Sequence, residues 1–183
     1  MIEYLSKALV LDVENIGELD KLVYLYTEKL GKVVARAKSI RKITSKLTGH
    51  LQPFNFVRVR LVEKNGFQVV DALAFNKVEI SDVALTALQF IKDMTFELQP
   101  DKQLWLTIKK SFDNLKKNKK FFYKPLLKVL GFSPDFSRCN VCDSKFVAYF
   151  SKTEQVFLCS KCALPHYLPS IAKPEIFSDL IKI

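Results

Sequence analysis

The sequence is poor in glycine, with five in 183 residues. It contains neither G-x-G-x-x-G nor G-x-x-x-x-G-K-[ST], so neither glycine-rich phosphate cradle is written in it. No apolar run approaches the roughly 18 to 20 residues that span a bilayer, so no membrane span is expected and no membrane is counted among the expected partners. The start, MIEYLSKALVLDV, carries Glu3 and no small-residue cleavage site after a hydrophobic stretch. It does not read as a secretory signal, and the expected compartment is the cytoplasm. Clustered carboxylates are missing as well. Acids such as Asp71 and Asp82 are scattered, whereas metal-dependent phosphodiester cleavage needs carboxylates grouped beside an open metal position. An enzyme is therefore not expected. The most informative absence concerns charge: from Lys29 to Arg60 there is no Asp or Glu against nine Lys and Arg.

What is present is a chain that is 49% hydrophobic, enough for a packed core, with 29 basic residues against 19 acids and a net charge of +10. Such a surplus suits a polyanion, either nucleic acid or an anionic membrane surface. The first 76 residues alternate as strands do. Leu9, Leu11 and Val13 share one parity, LVYLYT follows from Leu22, Gly31 supplies a hairpin turn, and KVVARAK runs from Lys32 to Lys38. After the interruption RKITSKLTGHL come FNFVRVRLVE and FQVVDALAF, which flank the turn Lys64–Asn65–Gly66. Five strands with a short helix between the third and fourth is the order of an OB-fold barrel.

After Asn76 the period becomes helical. Ser81 is placed to cap a helix whose stripe is Ala84, Ala87, Leu88, Ile91, Met94 and Leu98. Asp101 is placed to cap a second, with Trp105, Ile108, Phe112 and Leu115 on one side. KPLLKVLG predicts a third, with Pro125 in its first turn and Gly131 just past its end. The expected fold class is α+β: a five-stranded OB-fold barrel over 1–77, then a helical domain over 78–183.

That second domain carries Cys139, Cys142, Cys159 and Cys162, two C-x2-C pairs separated by sixteen residues. Each pair sets two sulfurs on one tight turn, and KFVAYFS and QVFLC supply a hairpin that returns the second pair to the first. Four thiolates complete a tetrahedron around one Zn²⁺ at about 2.3 Å, in a module spanning 136–165. Such a site has no open position, so its role is structural. A reducing compartment disfavours the alternative of two disulfides. Asp143 stands where glycine often follows the second cysteine. Arg138, Lys145 and Lys161 are placed to offset the formal charge, and His166 and His50 read as structural or surface residues.

Strand parity sharpens the basic signal. Phe54, Phe56, Arg58 and Arg60 share one side of their strand, opposite Val57, Val59 and Leu61. Lys32, Arg36 and Lys38 share a side opposite Val33, Ala35 and Ala37. Arginines beside aromatics on which bases stack are the components of single-strand binding; the alternative is that Phe54 and Phe56 bury against the following helices. Lys109, Lys110, Lys116, Lys117, Lys119 and Lys120 either extend the electrostatic track or form a solvated helix end.

Two stretches now carry a family pattern. LYTEKLGKVVARAKSIRKITSKLTGHLQPFNF resembles the N-terminal region of the RecO family of bacterial recombination-repair proteins, with its T-E-x-x-G-K strand pair, basic segment and L-Q-P-F. FYKPLLKVLGFSPDFSRCNVCDSKFVAYFS with LCSKCA is similar to that family's leucine-rich helix, G-[YF]-x-P and paired C-x-x-C module. After Cys162 there are 21 residues, where the family pattern continues into a longer helical tail. The resemblance implies an OB-fold, a helical domain and a zinc module. It implies binding of single- and double-stranded DNA, strand annealing, and loading of the RecA recombinase, together with RecR, onto strands coated by single-strand binding protein (SSB), whose acidic tail is an expected partner. It further implies a nucleoid-associated protein, and it assigns Lys32, Arg36, Lys38, Arg41, Lys42 and Lys46 to DNA contact. The competing reading is a zinc-ribbon interaction module of transcription or replication type, acting chiefly through the four cysteines.

Overall fold

In a computed structural model of the chain, residues 1–115, 122–163 and 179–183 are described. They fall into two compact units, Met1–Leu106 and Thr107–Ile183.

The first unit is built on a closed barrel in the order β1-β2-β3-β5-β4. Its strands are β1 (Ile2–Ile16), β2 (Asp20–Thr27), β3 (Gly31–Ala37), β4 (Asn55–Glu63) and β5 (Phe67–Lys77), and the short helix α1 (Leu47–His50) joins β3 to β4. Closure depends on the length of β1. Its first half pairs with β4 and its second half with β2, so one strand serves two neighbours. Only the β3–β5 junction is parallel, at Ala35↔Phe67 and Arg36↔Gln68. The interior is filled by small and branched side chains, among them Ala8, Val10, Leu25, Ala35, Val57 and Val59. This is the OB-fold, as strand order and period required.

The inward parity of β1 differs from the expected one. A bulge between Val10 and Asp12 inserts one residue at Leu11, so Ala8 and Val10 point into the barrel before the bulge and Val13 after it. Leu9 belongs to the other face, opposite Phe56 in register. A bulge shifts the alternation by one and leaves no mark in the local hydrophobic pattern.

That outer face is covered by helices. α2 (Asp82–Met94) starts at Ser81, whose Oγ accepts from the Ala84 amide at 3.2 Å. It buries Ala84, Ala87, Leu88, Phe90 and Ile91. The helix stops at Thr95, so the predicted stripe does not reach Leu98, which is half exposed at φ +55°. Leu98 instead donates its amide to the Lys32 carbonyl at 2.9 Å. The chain here runs so close to β3 that a Cβ on Gly31 (φ +71°) would lie 2.2 Å from the Gln99 carbonyl oxygen; only glycine meets both conditions. α3 (Lys102–Asn114) begins in this unit, with Asp101 accepting the Leu104 amide at 2.9 Å. Trp105 packs edge-on against Phe56 at 6.1 Å. The boundary expected at 77/78 therefore marks the end of the strands and not of the compact unit: burial of the barrel's outer face keeps α2 and the start of α3 with it.

In the second unit α4 (Tyr123–Val129) ends before Gly131, at φ +91°. Phe122 packs between Phe112 and Tyr123 at 5.1 and 5.2 Å. The predicted hairpin is β6 (Tyr149–Ser151) against β7 (Val156–Leu158), and a third strand, β8 (Leu180–Lys182), joins the other edge of β6. β8 was not anticipated. Asp179 ties it in: its carboxylate accepts from Ser151 Oγ at 2.6 Å and from the Thr153 amide at 3.0 Å.

Candidate nucleic-acid interface and metal centre

In the barrel unit five acids, Glu3, Asp12, Glu14, Asp20 and Glu63, have specific partners. Lys92 donates to Asp12 at 2.7 Å and lies 3.3 Å from Glu14, with its ammonium 4.0 Å from the Tyr24 ring centre. Burial opposes the charge of Lys92, but the two carboxylates outweigh it and raise its pKa. Arg36 pairs with Asp20 at 2.6 Å, and Asp20 also accepts the Ser39 amide at 2.7 Å. That amide first, and then the guanidinium, hold the Asp20 carboxyl below its usual range. Arg60 meets Glu3 at 3.3 Å, and Glu63 accepts from the Tyr4 hydroxyl at 3.0 Å.

The predicted DNA-contact residues separate against this background. Lys38, Lys42, Lys46 and Arg58 are exposed and form no ion pair among the described residues. Arg41 is exposed and spends one guanidinium N–H on the Gly17 carbonyl at 3.3 Å. Arg36 and Arg60 are exposed but paired. Lys32 is different. It is half-buried, donates to the Lys92 carbonyl at 2.8 Å, and burial lowers its pKa. Its ammonium caps the end of α2 and is not a free phosphate contact.

The aromatic half of the expected site is corrected. Phe54 is 7% exposed and Phe56 1%. Phe54 precedes β4 at φ +75° and does not continue its alternation. Phe56 keeps the predicted parity with Arg58 and Arg60, but its end of the face lies under Trp105. Neither ring is open to a base. The exposed aromatic of this face is Phe75, 6.3 Å from Phe56. Lys7 stands opposite Arg58 in the β1–β4 register. Both were missed because their positions depend on pairing between distant strands. The two basic rows are also not adjacent, since β5 lies between β3 and β4. His50 is structural, its Nδ1 accepting from the Ala74 amide at 3.3 Å.

The second unit brings Cys139, Cys142, Cys159 and Cys162 together, with all four Sγ atoms within 4.8 Å of one another. Cys142 and Cys159 sulfurs are 3.7 Å apart, against the edge of about 3.8 Å expected for a ZnS₄ tetrahedron with 2.3 Å bonds. The donor set fits a metal ion. Backbone N–H groups prepare the sulfurs for negative charge. Burial opposes ionisation of Cys139, yet N–H groups of Cys159, Cys142 and Val141 bring it down to about 6. The Cys162 amide points at the Cys159 sulfur at 3.4 Å. Burial and the neighbouring thiols push Cys162 up to about 12. Four thiolates this close repel, and a divalent cation relieves that repulsion.

Asp143 takes the glycine-like conformation, φ +57°, which Asp tolerates better than most residues. It donates its amide to the Cys139 carbonyl at 2.9 Å, and its carboxylate holds Arg138 at 2.7 Å. Arg138 is thereby paired with a carboxylate, and Lys145 and Lys161 remain exposed beside the cysteines in sequence. Lys109 and Lys110 are exposed on α3; Lys116, Lys117, Lys119, Lys120 and His166 lie outside the described residues.

A closed five-stranded OB barrel joined in one chain to helices and a four-thiol metal cradle defines a narrow class of OB-fold protein. Residues 1–76 match the family model described as Recombination protein O N terminal, and residues 81–166 that described as Recombination protein O C terminal. The chain belongs to the RecO family of DNA repair proteins. It is similar to DNA repair protein RecO of Clostridium novyi, 30% identical over 179 residues that cover 86% of this chain and 68% of that protein. DNA repair protein RecO of Dehalococcoides mccartyi is 28% identical over 178 residues, covering 87% and 70%. That of Thermodesulfovibrio yellowstonii is 25% identical over 202 residues, covering 100% and 79%. No described helix is long and apolar enough to cross a membrane.

Proposed function

We propose that this chain is a non-enzymatic recombination mediator of the bacterial nucleoid. It binds single- and double-stranded DNA, promotes annealing, and with RecR helps load RecA onto SSB-coated strands, engaging the acidic SSB tail. The observation that carries this reading is the set of exposed cations on the barrel unit: Lys38, Lys42, Lys46 and Arg58 have no ion-pair partner among the described residues, while Asp20, Glu3 and Asp12 are engaged by Arg36, Arg60 and Lys92. Annealing needs no covalent chemistry. Two strands repel, and a surface that neutralises both lowers the cost of their encounter. The cysteine cradle holds Zn²⁺ in a structural role; its four sulfur donors leave no open position for substrate.

The test is DNA binding and annealing by the full chain with Lys38, Lys42 and Lys46 replaced by alanine. Counterion release predicts a salt dependence whose log–log slope falls by about 2 to 3, from roughly 0.7 to 0.9 per lost phosphate contact. An unchanged slope and affinity would remove the proposed face. Magnesium-dependent cleavage of the same DNA would show that the protein is an enzyme.

A second reading rests on Phe136 and Phe146, 91% and 86% exposed near the cysteines. Such residues suit an interaction module of transcription or replication type. If Phe136→Ser with Phe146→Ser abolishes DNA binding and the lysine triple variant does not, this reading replaces the first.

A further inference from the structure

The basic segment between β3 and α1 carries an aliphatic side chain that its charge does not explain. Ile43 is 104% exposed, more open than any other large apolar residue described. Its neighbours are Arg41, Lys42, Thr44, Ser45 and Lys46, with no acid among them. Leaving such a side chain in water forgoes the favourable burial of its apolar surface.

The segment is held at its base. Ile40, three residues before the tip, is 1% exposed in the barrel core, and Leu47, four residues after it, packs against the same core. Thr48 Oγ1 donates to the Ile40 carbonyl at 2.5 Å, across the base of the segment. Within it the Lys42 amide donates to the Ser39 carbonyl at 3.2 Å and the Ser45 amide to the Lys42 carbonyl at 2.9 Å. The β1–β2 turn is clipped alongside: the Arg41 amide donates to the Leu19 carbonyl at 3.0 Å and its guanidinium to Gly17 at 3.3 Å. Asp20 fixes the other edge through Ser39 and Arg36. Ile43 is thus presented on a braced loop.

Duplex DNA matches this tip, being anionic outside and apolar between its stacked bases. Proteins that bend it combine cations on the phosphates with an aliphatic or aromatic side chain inserted at a base step. We propose that Ile43 is such a wedge: it enters the base stack of duplex DNA while Arg41, Lys42 and Lys46 hold the flanking phosphates. This inference rests on the DNA-binding reading above and adds to it a local unstacking step, which would start the exposure of bases that annealing partners need. An anionic membrane also has a charged surface over an apolar interior. A single isoleucine between Thr44, Ser45 and lysines offers it little apolar area, and membrane binding scales with that area.

The experiment uses the full chain and a duplex carrying 2-aminopurine at a TA step, where unstacking is easiest. Wild-type protein should raise the 2-aminopurine fluorescence. Ile43→Ala should keep the salt slope of binding and lose the rise, and Ile43→Trp should show indole quenching on the duplex, against the constant background of buried Trp105. Binding without a rise, or a rise retained in Ile43→Ala, overturns the wedge and leaves DNA binding intact. No duplex binding by the wild type removes both readings. Loss of binding to phosphatidylglycerol vesicles in Ile43→Ala, with the duplex signal unchanged, would assign the tip to a membrane surface and overturn the proposal.

Discussion

The barrel and the cysteine cradle reach order by different means. The barrel buries a continuous set of aliphatic side chains, with Ala8, Val10, Leu25, Ala35, Val57 and Val59 all at 0% exposure. The apolar cluster around the metal cradle consists of Cys139, Leu158, Cys159, Cys162 and Ala163, with Tyr149 and Leu180 at its margin. Three of those five core residues belong to the group of four thiols that could hold a metal ion. A core made of aliphatic contacts loses stability by degrees, whereas one made of ligands depends on a single event, occupation by metal. The barrel can thus carry a charged surface at modest cost, while the cysteine cradle gives much of its small interior to thiols.

The largest expected effect tests that division directly. Metal binding contributes about 10 to 16 kcal/mol of apparent free energy in small zinc modules, so Cys159→Ser should unfold the hairpin. Hydrogen exchange at Tyr149–Ser151 and Val156–Leu158 should lose protection, and amides of β1 to β5 should keep theirs. Collapse of barrel protection in that variant would mean that the two units are not independent in stability. Trp105→Ala comes next. Removing the ring that covers Phe56 should cost about 3 to 5 kcal/mol, read as a lower midpoint for the barrel's denaturant transition, while metal content stays unchanged. The smallest effect is electrostatic. Asp20 has its folded pKa lowered by the Ser39 amide and Arg36. Its contribution is therefore present above the unfolded carboxylate value of about 3.9 and disappears as pH falls through the lower folded value. Thermal unfolding of Asp20→Asn should show a shallower loss of barrel stability on acidification below pH 4 than the wild type. Parallel curves would show that Asp20 organises the loop without linking it to pH.

Legibility in the sequence followed the range of the interaction. Ser81 and Asp101 cap helices through residues three positions away, and both are visible as local signals. The paired C-x2-C spacing likewise announces its own geometry, and the hairpin between the pairs follows from it. Phe56 was harder. Its parity is a local fact, but whether that side meets solvent depends on Trp105, 49 positions further on. β8 is three residues long and owes its place to β6 and Asp179, so nothing in its own composition reveals it.

By itself, then, the sequence determined the order of the barrel strands and the helices after them, the four thiols of the cysteine cradle, and the acid-free basic segment, because periodicity, capping and cysteine spacing act over a few residues. Tertiary structure decided which of those cations remain available. Lys32 was turned onto the end of α2, and Arg36 was given to Asp20. Arg58 was left in the open, while of the phenylalanines expected to accompany it Phe56 went under Trp105 and Phe54 was buried. Ion pairs and burial form between segments that meet only when the barrel closes, as Lys92 meets Asp12 across 80 positions, and no local pattern encodes that meeting.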